Sequence, residues 1–320
     1  MLRSRIAVYS GSALAAANDD LFKSLEFIAN LGFKEVNFSH LNAPRFESLS
    51  TDERRSILSD YPHDLGLDVV SASYDISAGR VRSIPQRMRP FCDAIELCAD
   101  CGIPILIVHG GERIVEDEDR NRAAWMRLVE DMKRSGAYGA DRGVRIAMEP
   151  GGGVWMVHGW RLLNRLRDEV GERFSVNLDP ANILMSGEDP VEAVRVLKDA
   201  VIHVHLKDVR LLKQPVHVSR FVSRMDARAS SMNFAEWRTA LLADCTDGKN
   251  FWSESTVGEG DVDFEALLVA LDDVGFDGWM AIEREGKQTA ADRKRDILKA
   301  RDRIGTMIDE ANLVKAAESK

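Results

Sequence analysis

The stretch that decides the fold is "VIHVHLKDV", residues Val201–Val209. Its side chains alternate, with His203, His205 and Lys207 on one face and apolar residues on the other. A period of two is typical of a β-strand whose two faces meet different surroundings. The pattern therefore predicts a strand that packs one face under helices and turns the other towards a polar centre.

Seven more β-rich runs alternate with longer amphipathic stretches along the chain. The eight predicted strands are residues 5–10, 35–39, 68–73, 104–110, 144–150, 174–180, 201–208 and 279–285. Helical patterns lie between them, for example from Asn18 as N-cap to Gly32, from Pro190 in a first turn, and from Asp263 to Gly275. This alternation predicts an α/β protein with a single (β/α)8 TIM barrel rather than an open doubly wound sheet.

One connection, about 209–262, is far longer than the median of about five residues. It follows the seventh strand and contains a helical pattern at 233–245. Its first part is basic, which suits either an anionic substrate group or a solvated face or subunit contact. We assign residues 1–312 to the barrel, including this insertion, and residues 313–320 to a C-terminal tail.

Composition narrows the class of protein. The chain has 320 residues, 45% hydrophobic and 30% charged, with a net charge of −9, which argues against nucleic acid or an anionic membrane as partner. No apolar run approaches the roughly 20 residues of a membrane span, and the N-terminus runs into a strand rather than a signal peptide. The motif "CADC" at 98–101 lies in a helical pattern and favours buried or idle thiols over a metal or redox pair. We expect a cytoplasmic location.

Four polar residues fall on the inner face near the ends of four consecutive predicted strands. They are Glu149, Asp179, His205 and Glu283. Barrel active sites lie at this end, and three carboxylates brought together repel one another unless a cation joins them. The oxygen-rich set suits one divalent ion, with Mn²⁺ as the expected one, Mg²⁺ or Co²⁺ as alternatives, and Zn²⁺ less natural. The alternative is that each acid pairs separately with a base such as Arg145 or Lys207.

The motifs around these residues carry a family resemblance. "AMEP" around Glu149, "NLDPANIL" around Asp179, "HVHLKD" around His205 and "GFDGWMAIERE" around Glu283 resemble the xylose isomerase-like barrel family of sugar isomerases and epimerases. "GEGDVDF" (258–264) resembles the stretch that this family places before its last helix. The resemblance implies that the four residues are metal ligands and that the two glutamates move the proton.

This chemistry agrees with the residue types. A cation chelated by a substrate carbonyl and its neighbouring hydroxyl acidifies the intervening C–H and stabilises the ene-diolate. Of Glu149 and Glu283, one can take the proton and the other can return it, a contribution of about 10²–10⁴-fold. The sequence thus predicts a divalent-metal-dependent isomerase or epimerase acting on a sugar or sugar derivative.

Three departures from the family pattern keep a second reaction open. Asn182 stands where the family often has a histidine, Trp155 where ketohexose epimerases have a glutamate, and Leu211 where they have an arginine, with Arg210 one place earlier. "HVHLKDVR" also resembles the inosose dehydratase branch, in which enolisation is followed by loss of a β-hydroxyl. A lyase acting on a keto-sugar, inosose or keto-glycoside, including a C-glycoside and sometimes with a small partner subunit, is therefore the alternative.

Five residues are candidates for contact with substrate: His109, Trp155, Asn182, Lys207 and Arg210. His109 either binds substrate or is a satisfied barrel histidine, Lys207 either neutralises an oxyanion or pairs with Glu283, and Trp155 either stacks on a sugar or packs. His203 is predicted to lie behind the ligands. The glycines of "VGEGD" form at most a weak phosphate cup. No role is assigned to His40, His63, His158 and His217.

Two further classes compete with an enzyme acting on sugars. Apurinic-site endonucleases share the barrel, but they use a histidine-rich cluster of three metals, and the charge of −9 argues against DNA. A non-catalytic scaffold would keep its role in a Glu149→Gln variant, whereas an enzyme would lose turnover. We expect a homo-oligomer, a dimer or tetramer, with the insertion as a candidate interface.

Overall fold

The computed structural model describes residues 1–3, 5–76, 83–109, 111–112, 118–151, 155–211, 252–286 and 288–318. Within them lie ten strands: β1 Ile6–Tyr9, β2 Glu35–His40, β3 Asp68–Asp75, β4 Ile105–His109, β5 Arg145–Glu149, β6 Ser175–Leu178, β7 Val201–Leu206, β8 Asp208–Leu211, β9 Trp252–Ser255 and β10 Trp279–Ile282. Eight of them close into a parallel barrel in the order β1-β10-β7-β6-β5-β4-β3-β2. The predicted TIM barrel and all eight predicted strands are confirmed.

Helices surround the barrel. They are α1 Ser10–Leu14, α2 Leu21–Asn30, α3 Pro44–Glu47, α4 Thr51–Leu58, α5 Asp60–Asp64, α6 Ile84–Asp100, α7 Glu118–Ala140, α8 Trp160–Val170, α9 Pro180–Met185, α10 Pro190–Leu197, α11 Phe264–Asp273 and α12 Ala290–Glu318. A short 3₁₀ turn, Lys198–Ala200, precedes β7. None of the helices in the described ranges is both long and apolar enough to cross a membrane.

Local sequence signals explain most helix ends, with one correction. Pro190 begins α10, and Asp263 caps α11 by accepting the backbone N–H of Ala266 at 3.0 Å. The N-cap of α2 is Asp20 rather than the predicted Asn18. Asp20 can accept the N–H groups of the first turn, whereas Asn18 has φ 53° and lies in the turn before it.

The core has an outer and an inner part. The outer part lies between strands and helices and includes Phe38, Met148, Val204 and Leu206. A smaller inner group contains Ile105, Ile107, Ala147 and Ile202, with Trp279 packed against it. Ile202 joins this inner group although simple alternation placed it with Val204 and Leu206. Apolar side chains thus fill the start of the barrel and leave the C-terminal ends of the strands to polar residues.

The insertion begins and ends in a hairpin. Strands β8 and β9 pair antiparallel, with Leu211 opposite Trp252. The predicted helix at 233–245, the basic residues between 212 and 251, and His217 lie outside the described residues. Helix α12 continues to Glu318, so residues 313–318 extend a helix instead of forming the predicted tail. Near the end of α12, Asn312 Nδ2 donates to the Leu2 carbonyl at 3.0 Å, which connects this helix to the N-terminal segment.

The "CADC" motif lies at the end of α6. Cys98 is fully buried in the outer core, and burial raises the pKa of its thiol. Cys101 caps the helix and is half-buried. The positions agree with the expectation of buried thiols.

Candidate metal centre

The four predicted ligands converge at the C-terminal ends of their strands. Glu149 is the last residue of β5, Asp179 follows β6, His205 lies in β7, and Glu283 follows β10. One ligand atom from each lies within 4.8 Å of the others, and all four residues are buried. The barrel therefore brings three carboxylates and one imidazole from four adjacent strands to one point.

Three atoms of this cluster lack a hydrogen-bond partner among the described residues. They are Asp179 Oδ2, His205 Nδ1 and Glu283 Oε2. His205 Nδ1 lies 2.9 Å from Glu283 Oε2 and 3.2 Å from Glu149 Oε2, but neither approach has the geometry of a hydrogen bond. Because buried polar atoms normally have partners, three that face one another indicate a position for a ligand. Three carboxylates and an imidazole fit a divalent cation.

Separate pairing of the acids with bases does not explain the cluster. Arg145 Nη2 donates to Ser175 Oγ at 3.2 Å and not to an acid of the cluster. Lys207 does lie 3.4 Å from Glu283 Oε1, but the other oxygen of Glu283 still faces His205. Among the described lysines and arginines, pairing therefore accounts for one oxygen of Glu283 and not for the cluster as a whole.

Neighbouring amides fix the orientation of two ligands. Asn37 Oδ1 lies 2.9 Å from His205 Nε2. Since an amide oxygen only accepts, Nε2 carries the hydrogen and Nδ1 is turned to the cluster. On the other side Asn177 Nδ2 donates to Glu149 Oε2 at 2.8 Å, and Asn177 Oδ1 accepts from His203 Nδ1 at 2.8 Å. His203 thus lies behind a ligand.

A helix start holds Asp179. Asp179 is the N-cap of α9, and its Oδ1 accepts the backbone N–H of Asn182 at 3.0 Å. This bond leaves Oδ2 facing the cluster. The Asn182 side chain donates to the Pro150 carbonyl at 2.9 Å and so joins the segments that follow β5 and β6. Its predicted contact with substrate stays a prediction, and the structure places Asn182 directly beside Asp179.

Crowding of charge shifts the pKa values of the cluster. Burial, together with Glu283 and Glu149, raises the pKa of Asp179 to about 8. Burial opposes charge on His205, but Glu149 and Glu283 outweigh it and raise the His205 pKa well above its usual value. Burial and the adjacent His205 lower the pKa of His203, which is neutral. The raised pKa values of Asp179 and His205 thus show that the site favours bound positive charge.

Lys207 belongs to the same charge cluster. Its ammonium lies 2.6 Å from Glu285 Oε2 and 3.4 Å from Glu283 Oε1. Burial opposes its charge, but Glu283, Glu285 and Asp179 raise the pKa of Lys207 well above its usual value. Lys207 is therefore a permanent cation beside one of the two predicted catalytic glutamates.

The other candidate contacts differ in where they lie. His109 Nδ1 is 3.4 Å from Glu149 Oε2, and its buried Nε2 has no partner among the described residues. The Trp155 indole lies against Gly151, close after β5. Arg210 is exposed and donates to the Glu259 carbonyl at 2.5 Å. The structure thus places His109 beside the cluster, Trp155 near it, and Arg210 exposed on strand β8.

Two residues that received no role also border the cluster. The Tyr9 ring lies 5.8 Å from that of His205, and its hydroxyl is 3.1 Å from His40 Nδ1. The ring of His40 packs at 4.7 Å on that of His109. The sequence pattern could have identified Tyr9, because this residue ends β1 on the same alternating face as the inner residue Ala7. It could not have identified His40, because a register shift between Phe38 and His40 reverses the simple alternation.

The glycine-rich loop does not form a free phosphate cup. The Asp208 carboxylate accepts the backbone N–H groups of Gly258 at 2.9 Å, Gly260 at 2.7 Å and Val262 at 3.2 Å. It also accepts the N–H of Val209 at 2.8 Å. The chain's own carboxylate thus occupies the nest of donors that an anion would need.

A closed parallel barrel with a convergent ligand set at the C-terminal ends of its strands is the architecture of a barrel enzyme. The family model described as "Xylose isomerase-like TIM barrel" matches residues 25–307. The chain belongs to the xylose isomerase-like TIM barrel family.

Relatives within and around this family carry out different reactions. The inosose dehydratase of Clostridium perfringens is 26% identical over 185 residues, 58% of this chain and 55% of that protein. The chain spans about half the length of the curated relatives it matches. A solved L-ribulose 3-epimerase superposes with a TM-score of 0.69 at 16% identity, over 100% of this chain and 99% of that one. The IOLI protein with a bound zinc atom gives 0.68 at 15% identity, over 96% and 99%.

Proposed function

We propose that this protein is a divalent-metal-dependent isomerase or epimerase of a sugar or sugar derivative. The observation that carries the proposal is the group of unpartnered buried atoms Asp179 Oδ2, His205 Nδ1 and Glu283 Oε2, which face one another beside Glu149. These four residues would hold the cation, for which we propose Mn²⁺ because the set is rich in oxygen. When bound, such an ion supplies polarisation of a substrate carbonyl and stabilises the charge that develops on its oxygen.

The positions of the two glutamates support a role in proton transfer. Glu149 ends β5 and Glu283 follows β10, and strands β6 and β7 lie between these two in the barrel. The carboxylates therefore approach the centre from different directions. We assign one of them to remove the proton next to the carbonyl and the other to return it.

The surroundings of the glutamates support this role. Glu149 is 2% exposed and Glu283 is 5% exposed, and electrostatic interactions are stronger where water is excluded. Lys207 lies beside Glu283, and His109 lies beside Glu149. Both can bind substrate oxygens, and Trp155 near the end of β5 is the proposed apolar wall for the sugar.

Two relatives support one class of substrate. One acts on an inosose and another on L-ribulose, and both compounds are polyhydroxylated ketones. A ketone with a hydroxyl on the adjacent carbon offers the acidic C–H that this chemistry requires. We therefore propose a polyhydroxylated ketone as the substrate.

A dehydration is the second candidate. It is favoured by the sequence match to inosose dehydratases from several bacteria at 24–28% identity. The same removal of a proton would be followed by loss of a hydroxyl group from the next carbon. His109, which lies 3.4 Å from Glu149 and has an unpartnered Nε2, is the candidate group to assist that departure.

An exchange experiment in D₂O separates these reactions. The Mn²⁺-loaded protein is incubated with a panel of ketoses and inososes, and the products are weighed by mass spectrometry. Epimerisation or isomerisation incorporates deuterium without other change of mass, whereas dehydration loses water. Glu149→Gln is expected to lose about 10²–10⁴-fold in turnover while staying folded.

Glu130→Gln is the matched control. Glu130 lies on α7 and pairs with Arg134 at the surface, so its variant should keep wild-type turnover. The proposal is wrong if Glu149→Gln and wild type exchange deuterium equally with every substrate that reacts.

A further inference from the structure

The backbone that follows β10 is held at every N–H group from residue 283 to 285. Glu283 N donates to the Leu206 carbonyl at 3.1 Å. Arg284 N donates to Ser12 Oγ at 2.8 Å, and Glu285 N donates to Glu254 Oε1 at 2.6 Å. Three different elements therefore fix three consecutive peptide groups.

The carbonyl groups of the same segment are held by one side chain. Arg293, in α12, donates to the carbonyl oxygens of Arg284, Glu285 and Gly286, the last at 2.7 Å. Arg293 is 1% exposed. The planar fork of a guanidinium can reach several acceptors at once, whereas a lysine ammonium is a compact point charge.

A buried charge network surrounds this contact. Glu254 Oε2 lies 2.9 Å from Arg284 Nη1, and Asp296 Oδ2 lies 3.4 Å from Arg284 Nε. The side chains of Arg284, Glu254 and Asp296 are 11%, 11% and 7% exposed. Desolvation offsets much of the attraction in a buried ion pair, so such pairs are weak evidence for stability. A role in fixing the geometry of the neighbouring backbone is the better explanation for this network.

We propose that Arg293 and Glu254 form a clamp on residues 284–286, directly after Glu283, and are positioning residues for Glu283. The clamp holds the Glu283 carboxylate at the cation site, and it holds Glu285 where that residue pairs with Lys207 at 2.6 Å. Neither Arg293 nor Glu254 reaches the four ligand atoms itself. The inference rests on the proposed function and deepens it, since it assigns residues that maintain the geometry of one catalytic glutamate.

Amide hydrogen exchange tests the clamp without any added metal. In Arg293→Lys, the amides of Arg284 and Glu285 are expected to exchange at least about tenfold faster than in wild type, and in Glu254→Gln they are expected to exchange faster by a smaller factor. Arg295→Lys is the control, because Arg295 lies on the same helix, is 65% exposed and pairs with Asp292 at 2.8 Å, whereas it approaches Asp296 only at 3.5 Å. Unchanged protection of this segment in both clamp variants would overturn the proposal.

Glu254→Gln is the second clamp variant, and it tests the proposal even if Arg293→Lys does not fold. Glutamine keeps an oxygen for the Glu285 N–H but removes the charge that faces Arg284. The full-length variant is therefore expected to fold and to show a smaller effect than Arg293→Lys.

Titration with Mn²⁺ tests the consequence for the site. By calorimetry, Arg293→Lys is expected to bind Mn²⁺ about 10–100-fold more weakly than wild type, whereas Arg295→Lys stays within about twofold. A lower melting temperature with unchanged Mn²⁺ affinity would show that the clamp serves stability alone and would overturn its positioning role. If wild type binds no Mn²⁺, the proposed function fails, and the exchange measurement distinguishes that result from failure of the clamp.

Discussion

Asn37 decides which nitrogen of His205 faces the cluster, because its amide oxygen accepts from His205 Nε2 at 2.9 Å. Asn37→Leu removes this acceptor and leaves the buried imidazole free to rotate or change tautomer. We expect Mn²⁺ affinity to fall by about 10–100-fold, measured by calorimetry. Asn37→Asp keeps an oxygen at the same place and should bind within a few-fold of wild type. Equal affinity of all three proteins would contradict this role.

The raised pKa values at the centre predict that cation binding depends on pH. The pKa of Asp179 is about 8, and that of His205 is also raised, so both groups hold protons at neutral pH that a cation must displace. Affinity for Mn²⁺ should therefore be greatest above about pH 8 and fall up to about tenfold per pH unit, per proton released, as pH decreases.

Calorimetry in two buffers of different ionisation enthalpy counts these protons. We expect between about one and two protons released per Mn²⁺ at pH 7. An affinity that is constant from about pH 6 to pH 8, with no buffer dependence, would show that neither group binds the cation.

At this scale, alternation along the strands was sufficient to predict that the four candidate ligands converge. Glu149, Asp179, His205 and Glu283 lie at or just past strand ends, where a step of one residue decides between inside and outside. His40 was missed because the irregular pairing of β2 turns it to the same side as Asn37. Bulges of this kind arise from tertiary pairing and leave no local pattern in the sequence.

The loop between β9 and α11 depends on Gly260. A Cβ on this residue would meet Asp208 Oδ1 and would lie 2.5 Å from the Val209 carbonyl oxygen. Gly260→Ala therefore has to open the loop that surrounds Asp208. We expect the free energy of unfolding to fall by about 1–3 kcal/mol, measured by urea denaturation.

Gly305→Ala is the opposite case. Gly305 lies inside α12, and apart from its chain neighbours and the helix's own backbone no described heavy atom lies within 4 Å of a Cβ built on it. Since glycine in a helix interior costs about 0.5–1 kcal/mol relative to alanine, this variant should be more stable than wild type. A loss of stability in Gly305→Ala as large as that in Gly260→Ala would contradict the explanation by local contact.

Elements with a repeating pattern were predictable, and those made by distant contacts were not. All eight barrel strands and the starts of α10 and α11 follow from period and caps. The hairpin of β8 and β9 joins residues about forty positions apart, so no local pattern announces it. The role of Asp208 was hidden for the same reason, because its donors lie fifty and more residues further along the chain.

At the scale of the whole molecule, a cation bound at the centre should stabilise the folded state because it links four strands. A ligand that binds only the folded state stabilises it by about 2.7 kcal/mol at a hundred times its Kd. Adding Mn²⁺ to chelator-treated protein should raise the unfolding free energy by about this amount, measured by denaturant unfolding. Glu149→Gln should abolish most of the gain at the same Mn²⁺ concentration. Equal stabilisation of both proteins would place the ion elsewhere.

The pairing of Leu211 with Trp252 has a consequence for engineering. The chain leaves the barrel and returns to it at neighbouring points, so a two-residue turn such as Asn-Gly can bridge the gap between the two strands. A variant in which such a turn replaces residues 212–251 is expected to keep the pairing of β8 with β9.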